Sequence, residues 1–193
     1  MTVALHACCG PCASACVPRL TDAGHAVTLL FANSNIDTEA EFARRRAAAE
    51  TLARAEGVAF VALPYDHAAW LRDVAAGYED APEKGARCAR CFRYSLAQVA
   101  AFAAAQGLEA FTTSLTVSPH KVSAVVFAAG EAAAAACPGA RFLALDFKKK
   151  EGFKLSVRRA AALGLYRQAY CGCEFSKRKD SRCRRHSLTW TGR

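Results

Sequence analysis

Cys8 and Cys9 stand side by side at the end of a short apolar run and open onto Gly10-Pro11-Cys12, with a second pair, Cys88-x-x-Cys91, far downstream. Two close thiolate pairs brought together by folding make a site for zinc or for iron and sulfur, since both accept four cysteine ligands. A CxxC alone is a moderate signal; joined to an adjacent pair it becomes a strong one. The competing reading is a structural zinc staple. Such staples usually sit at the periphery, whereas these pairs flank segments predicted to converge on the working edge of a sheet. A third pair, Cys171-Gly172-Cys173, has a single residue between its cysteines. A disulfide there closes a small strained ring, and strained disulfides are the readily reduced kind that exchange two electrons. Metal ligation by both thiols, or idle thiols in a turn, remain alternatives for that pair.

Other groups could serve the same chemistry. Ser118-Pro119-His120-Lys121 combines a capping hydroxyl, a helix-starting proline and two donor side chains, a ready site for an RNA phosphate or an anionic substrate. Asp146, just ahead of Lys148-Lys149-Lys150, stays ionised beside that charge and suits a metal or a substrate hydroxyl. Cys8, Cys9 and Cys12 fall where a helix begins, and its free N–H groups favour thiolates. Cys12 is a candidate ligand for a second metal. Cys16, one turn on, reads as a small buried apolar residue, Cys137 as packing, and Cys183 has no assigned role.

These residues need a scaffold, and the pattern supplies one. Strands are predicted over Val3–Ala7, Ala26–Phe31, Val58–Leu63, Glu109–Thr113 and Arg141–Leu145. Helices are predicted from Pro11 to about Asp22, over Glu39–Glu56 behind the capping spacing Thr38-x-x-Glu41, around His67–Ala75, from about Cys91 to Gln106, and from Pro119 to near Cys137. The alternation predicts a single Rossmann-like (HUP-like) three-layer α/β domain with a mostly parallel sheet and a cysteine-containing C-terminal segment. The domain spans 1–176, followed by a basic tail over 177–193. In such sheets the β-to-α loops gather beyond the strand ends, which puts Cys8–Cys12, Asn33–Asp37, Ser114–Lys121 and Asp146–Lys150 on one rim.

The 193 residues are 53% apolar, enough for a buried core, and include ten cysteines. Met1-Thr2-Val3-Ala4-Leu5 lacks a basic leader, so a cytoplasmic location is expected, where clustered thiols serve metals or catalysis more often than permanent crosslinks. No apolar run reaches the ~20 residues of a membrane span. The net charge of +9, concentrated late in the chain, points to nucleic acid, with a solvated basic face as the plain alternative. Tyr166, Tyr170, Phe175 and Trp190 interleave with those cations as unstacked bases require. Neither a Gly-x-x-x-x-Gly-Lys-Ser/Thr loop nor a Gly-x-Gly-x-x-Gly fingerprint occurs, which leaves nucleotide hydrolysis and nicotinamide binding without support.

Six ordered motifs resemble the cobalamin-independent epoxyqueuosine reductase family, QueH. They are His6-Ala7-Cys8-Cys9-Gly10-Pro11-Cys12, Asn33-Ser34-Asn35-Ile36, Arg87-Cys88-Ala89-Arg90-Cys91-Phe92, Thr113 through Lys121, Asp146 through Lys150, and Tyr166 through Cys173. The resemblance implies reduction of the epoxide of epoxyqueuosine at the tRNA wobble position, the last step of queuosine synthesis, without cobalamin. It further implies a [4Fe-4S] cluster on Cys8, Cys9, Cys88 and Cys91 and a redox-active disulfide between Cys171 and Cys173. A second, mononuclear iron or zinc would have Cys12 and Asp146 as candidate ligands. The substrate would be a tRNA anticodon arm, met by Ser118, His120, Lys121, Lys148 and Lys149, with Asp146, His120 or a tyrosine relaying protons. An unidentified low-potential donor would supply electrons. Ser34 stands where the family has proline, and Ala169 where an acidic residue is usual. Rival readings are a cluster-dependent tRNA sulfur transferase, a zinc-stapled RNA-binding module and a heterodisulfide-reductase-like subunit.

Overall fold

The computed structural model describes residues 1–177; the basic run beyond Lys177, with Cys183 and Trp190, lies outside the described residues. Its strands are β1 (Thr2–His6), β2 (Ala26–Phe31), β3 (Ala59–Ala62), β4 (Ala110–Thr113) and β5 (Arg141–Phe142). Its helices are α1 (Gly10–Ala13), α2 (Val17–Thr21), α3 (Glu39–Glu56), α4 (His67–Trp70), α5 (Ala86–Ala105), α6 (Ser123–Ala136) and α7 (Gly152–Ala162). The sheet order is β3-β2-β1-β4-β5 and every pairing is parallel. Chain direction across the sheet reverses between β1 and β4, and ligands in such sheets bind beyond the strand ends at that point.

Alternation along the central strands makes the three layers. Leu5, Leu29 and Phe31 face one apolar cluster with Ala13, Phe42, Ala49, Leu52 and Ala160 of α1, α3 and α7. Ala4 and Leu30 face the other, with Leu96, Val99, Ala103, Val126 and Ala129 of α5 and α6. Thr38 caps α3, its Oγ1 accepting from Glu41 N at 3.2 Å, as the capping spacing predicts.

The structure departs from the sequence reading at four places. The helix expected from Pro11 to Asp22 is two pieces, because Pro18 has no N–H for the carbonyl four residues back and its ring crowds that carbonyl. Pro119 does not start a helix: Ser118 is extended, with ψ 128°, as a residue before proline prefers. That closes the 3₁₀ turn Ser114–Val117 and defers α6 to Ser123. The last strand is two residues long, because Thr112 Oγ1 and Thr116 Oγ1 donate to Leu143 O and Leu145 O at 2.8 and 2.9 Å. α7, within the stretch read only as basic, buries Ser156 and Ala160.

Candidate functional site

The loop after β1 carries the first thiols. Cys9 is the extended N-cap of α1, its Sγ accepting from Cys12 N at 3.4 Å. That turn brings the sulfurs of Cys8, Cys9 and Cys12 within 4.8 Å of one another. Gly10 makes the turn possible: a Cβ there would lie 2.8 Å from Ala48 O of α3. Ser114, after β4, accepts from Cys8 N at 3.0 Å and donates to Cys8 Sγ at 3.3 Å, tying the two switch-point loops together. His6 bridges three strand ends, with Nδ1 2.9 Å from Thr113 Oγ1 and Nε2 3.2 Å from Ala32 O. Burial lowers its pKa, so it is neutral. A carbonyl can only accept, so Nε2 carries the proton and Nδ1 accepts from Thr113.

Charge within the trio settles on Cys9, held well below the usual thiol range by hydrogen bonds from the Cys12 and Cys8 thiols. Cys8 is pushed up to about 11: its bond with Cys12 favours ionisation, but its bond to Cys9 and burial outweigh that. Cys12 rises through its bonds to the other two sulfurs. A metal bound there would displace the remaining thiol protons, so its binding would be proton-coupled.

The second pair lies in the first turns of α5. Lys84 N donates to Cys88 Sγ at 3.3 Å, and burial pushes Cys91 up to about 12. Cys91 and Cys173 pack with fully buried Trp70, whose Nε1 has no hydrogen-bond partner among the described residues. Lys121 projects inward from the turn before α6, its Nζ 3.4 Å from Cys171 Sγ and 5.8 Å from the Phe92 ring centroid. Burial works against its charge, but the facing sulfurs of Cys171 and Cys8 more than offset this and hold its pKa above the usual lysine value.

A cavity of about 380 Å³ joins these parts, lined by Cys8, Cys9, Cys12, Cys91 and Cys171 together with His6, Ser118, His120, Lys121 and Gln168. A smaller one of about 40 Å³ is lined by Cys88, Cys91, Cys171, Cys173, Trp70 and Lys121. Cys91, Cys171 and Lys121 border both.

A family model described as "Epoxyqueuosine reductase QueH" matches residues 3–179. The chain belongs to that family. It is similar to proteins named epoxyqueuosine reductase QueH from several bacteria. That of Streptococcus pyogenes serotype M1 is 33% identical over 181 residues, covering 91% of this chain and 70% of the relative. That of Dehalococcoides mccartyi is 33% identical, covering 90% and 91%, and that of Thermotoga maritima 30% identical, covering 91% and 90%.

Against this QueH frame, the cavities bring together Cys8, Cys9, Cys12, Cys88, Cys91, Cys171, Cys173, Ser118, His120 and Lys121 from the sequence reading. Ser118 is not a helix cap; its Oγ accepts from His120 N at 3.2 Å within a turn. Asp146, Lys148 and Lys149 line neither cavity. Asp146 Oδ1 accepts from Lys148 N at 3.1 Å, and Lys148 Nζ donates to Lys121 O at 2.5 Å. Lys148 thus supports the turn that aims Lys121, while Lys149 is exposed. Cys16 is fully buried, as its reading as a small apolar residue predicts. Of the two departures from the QueH motifs, Ser34 O accepts from His67 Nδ1 at 2.8 Å and its Oγ from Asp66 N at 3.3 Å, and Ala169 is an exposed part of the larger cavity wall.

Residues that sequence reasoning passed over include Gln168, Trp70 and Arg45. Gln168 sits inside a quoted motif, and its position three residues before Cys171 was the only available signal. Trp70 and Arg45 gave none, because an isolated tryptophan or a helical arginine has many structural uses. None of the helices among the described residues is long and apolar enough to cross a membrane.

Proposed function

We propose that this protein is an oxidoreductase that reduces epoxyqueuosine to queuosine at the wobble position of tRNA, the last step of queuosine biosynthesis. The observation carrying this reading is the convergence of the three thiol pairs on adjoining cavities at the switch point, in a chain of the QueH family. Epoxide reduction to an alkene breaks both C–O bonds, forms C=C and releases the oxygen as water, at a cost of two electrons and two protons. Two thiols becoming a disulfide supply that number of each.

The donor set fits a metal centre. Three sulfurs within 4.8 Å of one another approach the ~3.8 Å edge expected of tetrahedral thiolates with ~2.3 Å metal bonds. The buried Trp70 N–H, turned toward the Cys91 sulfur, adds a donor for a thiolate or sulfide. Cys8, Cys9, Cys88 and Cys91 would hold a [4Fe-4S] cluster, leaving Cys12 for a second, mononuclear iron or zinc. When bound, the cluster supplies low-potential electrons one at a time.

The chain's own groups do the rest. Lys121 places a positive charge beside Cys171, where it can stabilise negative charge as the epoxide oxygen departs. His120 and Ser118, on the same wall, can move the protons that oxygen needs. The cavity's 380 Å³ falls in the usual range for a small-molecule site. A wobble base reaches it only if splayed from the anticodon loop, as RNA-modifying and RNA-reading proteins commonly require. Exposed Phe153, beside Arg167 at 5.7 Å, offers a flat face on the cavity wall. The exposed Lys149, Lys150 and Lys154 supply charge for phosphates.

The test is an anaerobic assay of iron- and sulfide-reconstituted protein with epoxyqueuosine-containing tRNA and a low-potential reductant, read by nucleoside mass spectrometry without added cobalamin. Conversion that disappears in Cys88→Ala supports the reading. A fully loaded protein that converts nothing refutes it. Full activity in both Cys171→Ser and Cys173→Ser removes the dithiol from the mechanism.

A further inference from the structure

Arg45, on α3, is 1% exposed, and its guanidinium is divided between two tasks. Nε donates to Glu41 Oε1 at 2.8 Å. The two terminal nitrogens donate to Cys171 O at 2.8 Å and Tyr170 O at 3.4 Å, while the guanidinium stacks 4.9 Å from the Tyr170 ring centroid. The next carbonyls are held as well: Gly172 O accepts from Asp37 N at 3.1 Å, and Cys173 O accepts from Ser176 Oγ at 2.7 Å. Ser176 Oγ in turn accepts from Gly172 N at 3.2 Å. Four successive carbonyls, 170 to 173, are therefore pinned. Gly172 has φ +154°, which L side chains rarely adopt, and a Cβ there would sit 2.6 Å from Asn35 Nδ2, so a side chain would strain the backbone and displace Asn35.

Stability alone does not call for an arginine here. Burying an ion pair costs desolvation that an apolar residue of similar volume avoids. What the arginine adds is a forked set of donors in fixed geometry. The geometry they hold keeps the two sulfurs in different surroundings: Cys171 is exposed beside Lys121, and Cys173 is buried with Trp70 and Phe175.

We propose that Arg45 is a positioning residue that, with Ser176, holds the Cys171-Gly172-Cys173 loop in its dithiol geometry, so that the disulfide formed in turnover is strained and readily reopened by an external dithiol. This rests on the dithiol role proposed above. Closing the one-residue ring requires the loop to bend against its four anchors, which disfavours the disulfide relative to the thiols and raises the couple's potential. In reopening, a donor thiolate attacks the exposed Cys171 sulfur, the S–S bond breaks and Cys173 leaves as a thiolate, which takes up the proton the donor thiol had lost. The donor's second thiol then attacks the mixed disulfide, freeing Cys171 and leaving the donor oxidised.

The sequence offers a direct readout, because trypsin cutting after Arg167 and Lys177 releases a peptide whose cysteines are Cys171 and Cys173 alone. Reconstituted protein is equilibrated in dithiothreitol redox buffers without tRNA, alkylated and digested, and the oxidised fraction of this peptide is measured. Arg45→Lys keeps a charge for Glu41 but loses the fork; Ser176→Ala removes the second anchor without touching the core. Each is expected to stabilise the disulfide at least tenfold, about 30 mV to lower potential for a two-electron couple, and to slow its reopening at unchanged iron content. A midpoint equal to or above that of the unsubstituted protein in both variants overturns the proposal, and if Arg45→Lys does not fold, Ser176→Ala decides it alone. Because no turnover is needed, loss of the dithiol reading through fully active Cys171→Ser and Cys173→Ser remains a separate result.

Discussion

Gly10→Ala places a methyl group where the structure has backbone. Its Cβ would lie 2.8 Å from Ala48 O, 2.9 Å from Ala48 C and 3.1 Å from Ala49 N. None of these atoms belongs to a side chain that can swing away, so α1 must back off α3 by about 0.6 Å to restore ordinary contact. Overpacking of this kind costs about 1–3 kcal/mol. Alanine's helical preference returns at most ~1 kcal/mol, and less at the first position of so short a helix. The net loss of about 1–2 kcal/mol corresponds to about 2–8 °C in Tm for a chain of this size. The displacement also carries Cys12 of α1 and its N-cap Cys9 away from Cys8, which Ser114 holds, and spreads the sulfur trio. Thermal unfolding followed by circular dichroism, with iron and sulfide assayed per chain, should show lower Tm and lower loading together. Adding Ala48→Gly should not rescue either, since the clash is with the carbonyl. Full loading and unchanged Tm in Gly10→Ala would refute the reasoning.

Cys12→Ser should lower iron per chain after reconstitution, whereas Cys16→Ala, at a fully buried site whose sulfur makes only a 3.5 Å contact to Cys12 O, should retain it; equal loss in both would dissolve the distinction. For Asp37, burial opposes the charge, but hydrogen bonds from Lys177 and Tyr170 prevail and hold its pKa below the usual carboxylate value. A depressed folded pKa adds stability above the unfolded value near ~3.9 and loses it as pH falls through the folded one. The Tm gap between the unsubstituted protein and Asp37→Asn should therefore be present above about pH 4 and shrink below it; a constant gap would contradict this. Lys149→Ala should reduce the slope of log tRNA affinity against log salt by about 1 with little change in kcat. Lys148→Ala, which frees Lys121 O, should depress kcat instead.

The strand and helix alternation was legible because buried parallel strands read as apolar runs and the capping spacing at Thr38 marks a helix start. Both are local signals. Errors arose where a distant or competing contact decided the outcome. Pro119 satisfies the local rule for a helix start, yet the 3₁₀ turn before it and the inward course of Lys121 use it to end a turn. Arg141–Leu145 has strand composition, but two threonine hydroxyls from elsewhere take its carbonyls. Cysteine pairs were visible as spacing, and the helix start already grouped Cys8, Cys9 and Cys12; spacing did not show that Cys88 and Cys91 share a wall with Cys171 and Cys173. Lys121 was legible as a cation for an RNA phosphate or an anionic substrate, but a lysine after Ser-Pro-His carries no sign of the sulfurs it also faces.

One helix face positions both halves of the thiol system. Glu41, Arg45, Ala48 and Ala49 recur at the i, i+4, i+7, i+8 spacing of a single α3 surface. Ala48 and Ala49 set how closely Gly10, and with it the Cys8–Cys12 loop, can approach; Arg45, one turn earlier, holds the carbonyls of Tyr170 and Cys171. The distance between the first thiol group and the Cys171/Cys173 pair is thus measured along about one turn of helix rather than across flexible loop. A rigid connection of this kind couples the two sites mechanically, because packed helices shift as bodies. Gly10→Ala, by pressing on Ala48, should therefore also move the Cys171/Cys173 midpoint, even though it lies in a different loop. A midpoint unchanged in Gly10→Ala, at lowered Tm, would mean that the strain is absorbed by the short α1 and that the two thiol groups are set independently.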